Sequence, residues 1–191
     1  KLCIPQEIQD KIDKATENYS VVLTDKLSSI LYILTLLLKQ QIPVMLEGEP
    51  GSGKTLVQNI LSKMLQDESD CISMSLNSGT KPSNVLTNIK KRLYRNGECN
   101  YESKRGSLII FLDNANCMKI KDFTILVNAL LLNQEQREIF NYSTMTFDHI
   151  PQNCFLISHQ CSGDKDETKA FMSDKLSKKF SEIICTIPMP T

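Results

Sequence analysis

The stretch GEPGSGKTLVQNIL, residues 48–61, lies between a short apolar run and a segment with helical spacing. It matches the pattern G-x-x-x-x-G-K-[ST], with Gly48, Gly53, Lys54 and Thr55 at the defined positions, and the preceding PVMLE has strand character. A phosphate chain needs several backbone N–H groups converging on it, and glycine leaves that approach open. The pattern therefore predicts a strand, a phosphate-binding loop and a helix in succession.

Each residue type in this loop suits contact with a phosphorylated ligand. Lys54 is expected to reach the terminal phosphates, and the Thr55 hydroxyl to hold magnesium, while the helix turns its positive dipole end toward the anion. A chance glycine-rich turn before a lysine is the alternative, and the flanking strand and helix disfavour it. The residues expected to contact nucleotide are Gly48, Glu49, Pro50, Gly51, Ser52, Gly53, Lys54, Thr55 and Leu56.

Composition narrows the remaining classes of function. The 191 residues are 41% hydrophobic, as expected for one globular domain, and 22 basic residues balance 22 acidic ones. That balance gives no argument for binding nucleic acid or an anionic membrane. Seven cysteines without a C-x-x-C pair, and only two histidines, indicate neither a zinc site nor a disulfide framework. Reduced thiols predict an intracellular protein, cytoplasmic or nuclear.

The most apolar run, ILYILTLLL at residues 30–38, is about half the length that spans a bilayer. We interpret it as a buried helix. The chain opens without an initiator methionine and stops just after a strand-like run. We therefore expect a module cut from a longer protein.

Five apolar runs have strand character and alternate with helical segments. They cover residues 43–46, 71–76, 107–113, 153–158 and 182–187. Continuous apolar runs suit strands buried on both faces, and alternation with helices favours a parallel sheet. The predicted fold is a three-layer α/β domain. Two helical stripes are expected in its core, one formed by Leu27, Ile30, Leu31, Leu34 and Leu38 and the other by Phe123, Leu126, Val127 and Leu130.

Two further segments have less decisive patterns. Residues 81–97 predict a helix whose basic end, interpreted as a solvated face, contains Lys90, Lys91, Arg92 and Arg95. Residues 137–150 alternate loosely between polar and apolar side chains. That spacing fits a β-hairpin inserted before the fourth strand, and it also fits an irregular connection.

The run SLIIFLDNANCM ends its apolar part in Asp113. A carboxylate at the carboxyl end of a central strand, beside a phosphate loop, is placed to hold magnesium, usually through water. The alternative is an aspartate that merely ends a strand. Ligands gather at the carboxyl ends of parallel strands, so the upstream loop favours the metal role.

The order GEPGSGKT, LDNAN, LVNALLLNQEQREIF, IPQNCFLIS and KLSKKFSEI resembles the large subdomain of an AAA+ ATPase. Within AAA+ proteins it is most similar to the group with midasin, the MoxR-type ATPases and the dynein heavy chain modules. The resemblance covers residues 21–187. It implies a P-loop NTPase fold with a five-stranded parallel sheet, one large subdomain over residues 1–191 with a leading segment at 1–23, and no helical lid.

In that family a glutamate usually follows the strand-ending aspartate and activates the attacking water. Asn114 occupies this place here. A carboxamide can hydrogen-bond water but cannot accept a proton at neutral pH, so a contribution of about 10² to 10⁴ in rate should be missing. The resemblance therefore predicts nucleotide binding with weakened hydrolysis.

The resemblance also implies two further polar residues. A sensor facing the terminal phosphate is expected at Ser158, His159 or Gln160, with His159 favoured. An arginine that reaches the neighbouring module's nucleotide is replaced by lysines, of which Lys175 is the candidate. Lysine lacks the bidentate fork of arginine, and a solvated lysine face is the favoured interpretation.

Three functions are therefore open at this point. The favoured one is a module that binds ATP or ADP with Mg²⁺, hydrolyses weakly or not at all, and regulates neighbouring AAA+ modules. The second is an active ATPase with Glu49 or Asp148 as a substitute carboxylate, and the third is a nucleotide-free scaffold. ATP is not distinguished from GTP, and microtubule or ribosome-assembly partners would come only through the parent protein.

Overall fold

Strands and helices alternate along most of the chain, which a computed structural model describes at residues 3–17, 19, 22–136, 138–141, 144–160 and 185–189. The helices are α1 (Gln6–Thr16), α2 (Asp25–Lys39), α3 (Lys54–Leu65), α4 (Pro82–Arg92) and α5 (Ile120–Gln136). The strands are β1 (Val44–Gly48), β2 (Asp70–Ser75), β3 (Tyr94–Arg95), β4 (Tyr101–Glu102), β5 (Leu108–Asp113), β6 (Glu138–Asn141), β7 (Thr146–His149), β8 (Asn153–Gln160) and β9 (Cys185–Pro188). A single 3₁₀ turn, Ala115–Cys117, follows β5.

Five of these strands form one parallel sheet in the order β2–β5–β8–β1–β9. The predicted strands are confirmed with shifts of one or two residues at their ends. The fifth predicted strand, at 182–187, is described from residue 185 onward, where it forms part of β9. The sheet and its helices confirm the predicted three-layer P-loop fold.

The two faces of the sheet are covered by different helices. Helices α1, α2 and α3 pack on one face, around Leu34, Ile60 and Phe111. Helices α4 and α5 pack on the other, around Ile89, Phe123 and Ile110. Residues adjacent in β5 and β8 alternate between these two cores, as the period of a strand requires. The sheet is therefore the middle layer.

The apolar run at 30–38 lies in α2, but only one face of that helix is buried. Leu31, Leu34 and Leu38 are in the core, whereas Ile33 and Leu36 are exposed. The prediction of a buried helix was therefore right for one stripe only. None of the described helices combines the length and apolarity needed to cross a membrane.

The hairpin alternative for residues 137–150 is confirmed, because β6 and β7 pair in antiparallel register from Glu138–His149 to Asn141–Thr146. Phe140 and Phe147 meet edge to face across the hairpin, with ring centroids 5.2 Å apart. A second, two-residue pairing of β3 with β4 was not predicted. The turn between β3 and β4 is stabilised by the Arg95 guanidinium, which donates to the carbonyls of Gly97 and Glu98.

The basic end of α4 is only partly the solvated face that was predicted. Lys91 and Arg92 are exposed, but Lys90 is partly buried, with 12% of its side chain exposed, and forms an ion pair with Asp148 of β7. Asp148 is itself buried, with 3% of its side chain exposed, and also accepts a hydrogen bond from Asn141 at 2.9 Å. This pair anchors the hairpin to α4.

We expect Lys90→Met to lower the free energy of unfolding by about 3–5 kcal/mol, because it leaves a buried carboxylate without its cation. Lys91→Met, on the exposed face of the same helix, is the matched control and should cost less than about 0.5 kcal/mol. Urea denaturation of both variants measures the difference. Equal losses of stability would contradict the anchoring role of Lys90.

Candidate nucleotide-binding site

The phosphate loop links the carboxyl end of β1 to the first turn of α3. Gly53 caps α3 with φ of 85°, a left-handed conformation that strains residues with a side chain. At Gly48 the constraint is contact, since an added Cβ would lie 2.8 Å from Ser52 Oγ and 3.0 Å from Met189 Cβ. Met189 follows β9, and its backbone N–H donates to the Glu47 carbonyl at 2.7 Å. The start of the phosphate loop is thus fixed by the contact with Met189, and its end by the turn at Gly53.

Lys54 lies folded over this loop. Its ammonium donates to the Gly48 carbonyl at 2.8 Å, the Glu49 carbonyl at 2.6 Å and Ser52 Oγ at 3.1 Å. Phosphate oxygens are stronger acceptors for an ammonium than neutral carbonyls, because the hydrogen bond is charge-assisted at both ends. A phosphate that enters the loop can therefore take over these donors.

The two predicted metal ligands are in direct contact. Thr55 Oγ1 donates to Asp113 Oδ2 at 2.8 Å, although 58 residues separate them in the sequence. The second carboxylate oxygen of Asp113 accepts the backbone N–H of Asn114 at 3.0 Å. A hydroxyl and a carboxylate that meet beside a phosphate loop are the oxygen ligands that Mg²⁺ prefers. The donor set therefore fits a magnesium ion.

A pocket of about 380 Å³ opens at the carboxyl ends of β1, β5 and β8. The phosphate loop and the start of α3 form one wall. The opposite wall is formed by Asp113, Asn114, Asn116 and Ser158. Its size and its lining suit the phosphate end of a nucleotide, with backbone N–H groups on one side and polar side chains on the other.

Asn114 is exposed and adopts a left-handed backbone conformation with φ of 57° and ψ of 43°. Its side-chain amide donates to Ser75 Oγ, at the end of β2, at 3.0 Å. The carboxamide is therefore held toward the edge strand of the sheet. It borders the pocket, but its donor is already engaged by Ser75.

The end of β8 separates the sensor candidates. Cys154 and Leu156 pack in the core beneath α3, and Phe155 and Ile157 pack in the opposite core. Ser158 continues the first series and lines the pocket, whereas His159 continues the second and is absent from its lining. The side chain of Gln160 is not described. The geometry favours Ser158 over His159.

His159 lies beside Glu47, its register partner in β1, and is 4% exposed. Burial lowers the pKa of His159; the carboxylate of Glu47 opposes this shift and the ammonium of Lys54 adds to it. The imidazole is therefore neutral at neutral pH. It brings no positive charge to the phosphate end of the site.

Gln58 links the phosphate-loop helix to the strands behind the pocket. It is 4% exposed, and its amide lies 3.2 Å from the Leu112 carbonyl of β5 and 3.4 Å from the Leu156 carbonyl of β8. Asp113 directly follows Leu112, and Ser158 lies two residues beyond Leu156. One side chain on α3 thus touches both strands that carry pocket residues.

The remaining candidate residues from the sequence do not line this pocket or lie outside the residues that the structure describes. Asp148 is engaged by Lys90 and Asn141 in the hairpin, and Glu49 is exposed; neither lines the pocket. Lys175 lies outside the described residues. Sequence reasoning did not single out Ser75, Gln58 or Asn116. Only Asn116 had a usable signal, since it follows Asp113 by three residues in LDNAN.

Comparison with known proteins identifies the family of the chain. A family model described as the P-loop containing dynein motor region matches residues 10–188, which include every residue of the pocket. A search of curated proteins gives no match. The match supports the dynein part of the resemblance and does not extend to midasin or the MoxR-type ATPases. The chain therefore belongs to the family of the P-loop containing dynein motor region and is a dynein-like AAA+ module.

Proposed function

We propose that this module binds ATP or ADP with Mg²⁺ and hydrolyses ATP slowly or not at all. The observation that carries the proposal is the contact of Thr55 with Asp113 beside the loop that Lys54 covers. The lysine, the hydroxyl and the carboxylate that suit a magnesium–nucleotide complex lie together there. The residue that follows Asp113, where the family usually has a glutamate, is the carboxamide Asn114.

On binding, hydrogen-bond donors of the loop exchange acceptors within the protein for phosphate oxygens. Lys54 leaves the carbonyls of Gly48 and Glu49 for phosphate oxygens, and the N–H groups at the start of α3 point at the same anion. Thr55 and Asp113 would hold Mg²⁺, directly or through water, and the ion supplies neutralisation of the phosphate charge.

Hydrolysis lacks its base. The Asn114 carboxamide cannot take a proton from water at neutral pH, and its amide is engaged by Ser75. The substitute carboxylates considered for an active ATPase receive no support from the geometry, because Asp148 is ion-paired in the hairpin and Glu49 does not line the pocket. A scaffold without nucleotide is disfavoured by the complete set of phosphate-loop residues.

The module's role in a larger protein is part of the same proposal. Residues 1–191 would form one large subdomain, with a leading segment at 1–23, and it would contact neighbouring AAA+ modules in a ring. A module that binds nucleotide without turning it over can still bias its neighbours through its nucleotide state. We therefore propose a regulatory or structural role for it, in an intracellular motor or remodelling protein.

We expect Lys54→Ala to weaken ATP affinity about 10- to 150-fold, the equivalent of the ~1.5–3 kcal/mol of a hydrogen bond to a charged group. Lys26→Ala removes an exposed cation from α2 and serves as the matched control. Calorimetric titration with Mg-ATP compares them, and circular dichroism checks the fold. Unchanged affinity in a folded Lys54→Ala variant would refute the phosphate-loop assignment.

We expect Asn114→Glu to leave nucleotide affinity within several-fold and to raise the single-turnover rate, because it restores a carboxylate that can accept a proton. The gain should lie below the typical ~10² to 10⁴ of general-base catalysis, since residues from a neighbouring module are missing. The Ser75 hydroxyl can hold the new carboxylate away from water, so adding Ser75→Ala should increase the gain.

Phosphate release is followed with protein in excess over labelled ATP for wild type, Asn114→Glu and Asn114→Ala. Rapid hydrolysis by wild type that Asn114→Ala does not slow would replace this proposal with the active ATPase.

A further inference from the structure

Two buried polar atoms of residues that line the pocket have no hydrogen-bond partner among the described residues. They are Oγ of Ser158, whose residue is 1% exposed, and Oδ1 of Asn116. Both residues line the pocket, Ser158 from the end of β8 and Asn116 from the 3₁₀ turn that packs beside that strand. Buried polar atoms in proteins are nearly always paired, with protein or with water. Two such atoms on residues that line one pocket point to a polar ligand there.

Asn116 contrasts with Asn114 two residues earlier. The Asn114 side chain is exposed and donates to Ser75. The Asn116 amide has only a weak contact, 3.8 Å to the sulfur of Cys117, and its oxygen is buried. Of the two carboxamides beside Asp113, Asn116 is thus the one whose acceptor oxygen is buried and has no hydrogen-bond partner among the described residues.

The chemistry of that acceptor identifies its partner. A carboxamide oxygen accepts hydrogen bonds and does not donate them, so it repels phosphate oxygens and pairs with an O–H or N–H group or with a cation. In a pocket for magnesium and phosphates, water is the donor at hand. The Ser158 hydroxyl can donate as well as accept, so it suits either a phosphate oxygen or the same water.

We propose that Asn116, rather than Asn114, positions the water at the terminal phosphate, with Ser158 as the second contact. The inference rests on the proposed function, because the pocket must first hold nucleotide. In hydrolysis the water oxygen bonds to the terminal phosphorus while the bridging P–O bond to ADP breaks. The proton of the water passes to an oxygen of the released phosphate, because a carboxamide cannot take it. Asn116 is therefore a positioning residue whose replacement by a base should accelerate the step.

Isosteric substitutions at the two asparagines test this directly. Asn116→Asp puts a carboxylate beside the positioned water. Asn114→Asp introduces a carboxylate of the same length at the position whose side chain contacts Ser75. We expect Asn116→Asp to raise single-turnover hydrolysis about tenfold or more over wild type, and Asn114→Asp to raise it less. The gain at position 116 should fall as the pH is lowered through the carboxylate's pKa. Because a gain is measured, the test works even if wild type is inactive.

Affinities for ADP and for a non-hydrolysable ATP analogue provide the second measurement. We expect both to stay within threefold of wild type in the uncharged variant Asn116→Ala, since the residue contacts water and not phosphate. A selective loss of affinity for the ATP analogue would overturn the inference, because it would place the Asn116 amide against the phosphate. No gain at position 116, or a larger gain at 114, would overturn it as well.

The failure of the proposed function gives a different result. Wild type that binds neither ADP nor the ATP analogue would refute nucleotide binding itself. Wild type that binds both, with an Asn116→Asp variant that binds but shows no gain in rate, would refute only the role of Asn116.

Discussion

The hydrogen bond from Thr55 to Asp113 can form only if the strands before these two residues end at the same edge of the sheet. A parallel arrangement satisfies that condition, because all its carboxyl ends point the same way. Strand β8 lies between β1 and β5, so the end of β8 must open onto the space between the loop and Asp113. Ser158 lines the pocket for this reason. The contact between Thr55 and Asp113 thus depends on the parallel sheet, and the position of β8 between β1 and β5 brings Ser158 into the same pocket.

The surrounding layers hold these strand ends in place. On the α3 side, Gln58 touches the backbones of β5 and β8 one and two residues before the pocket. On the other side, the Lys90–Asp148 pair fixes the hairpin that leads into β8. Both are polar contacts inside largely apolar layers, where an unpaired partner is costly. They give the carboxyl edge of the sheet a defined geometry, although that edge carries few apolar side chains.

The phosphate loop and the central strands could be predicted from the sequence because neighbouring residues determine each of them. The phosphate-loop motif specifies residue types at fixed spacing, and strands buried on both faces appear as continuous apolar runs in the sequence. The choice between Ser158 and His159 could not be made in this way, since a shift of one residue exchanges the two faces of a strand. Lys90 was assigned to a solvated face because its partner, Asp148, is 58 residues away. Long-range polar pairs leave no periodic trace in a sequence.

The contact of Met189 with the phosphate loop has a mechanical consequence. Its N–H is bonded to the residue before Gly48, and its Cβ lies within 3.0 Å of the place where a side chain on Gly48 would start. The two backbones are therefore joined directly, without a side chain between them. A displacement of the backbone at Met189 would therefore also displace Glu47 and the start of the phosphate loop. A ligand that fixes the loop would in turn restrain Met189 through the same hydrogen bond.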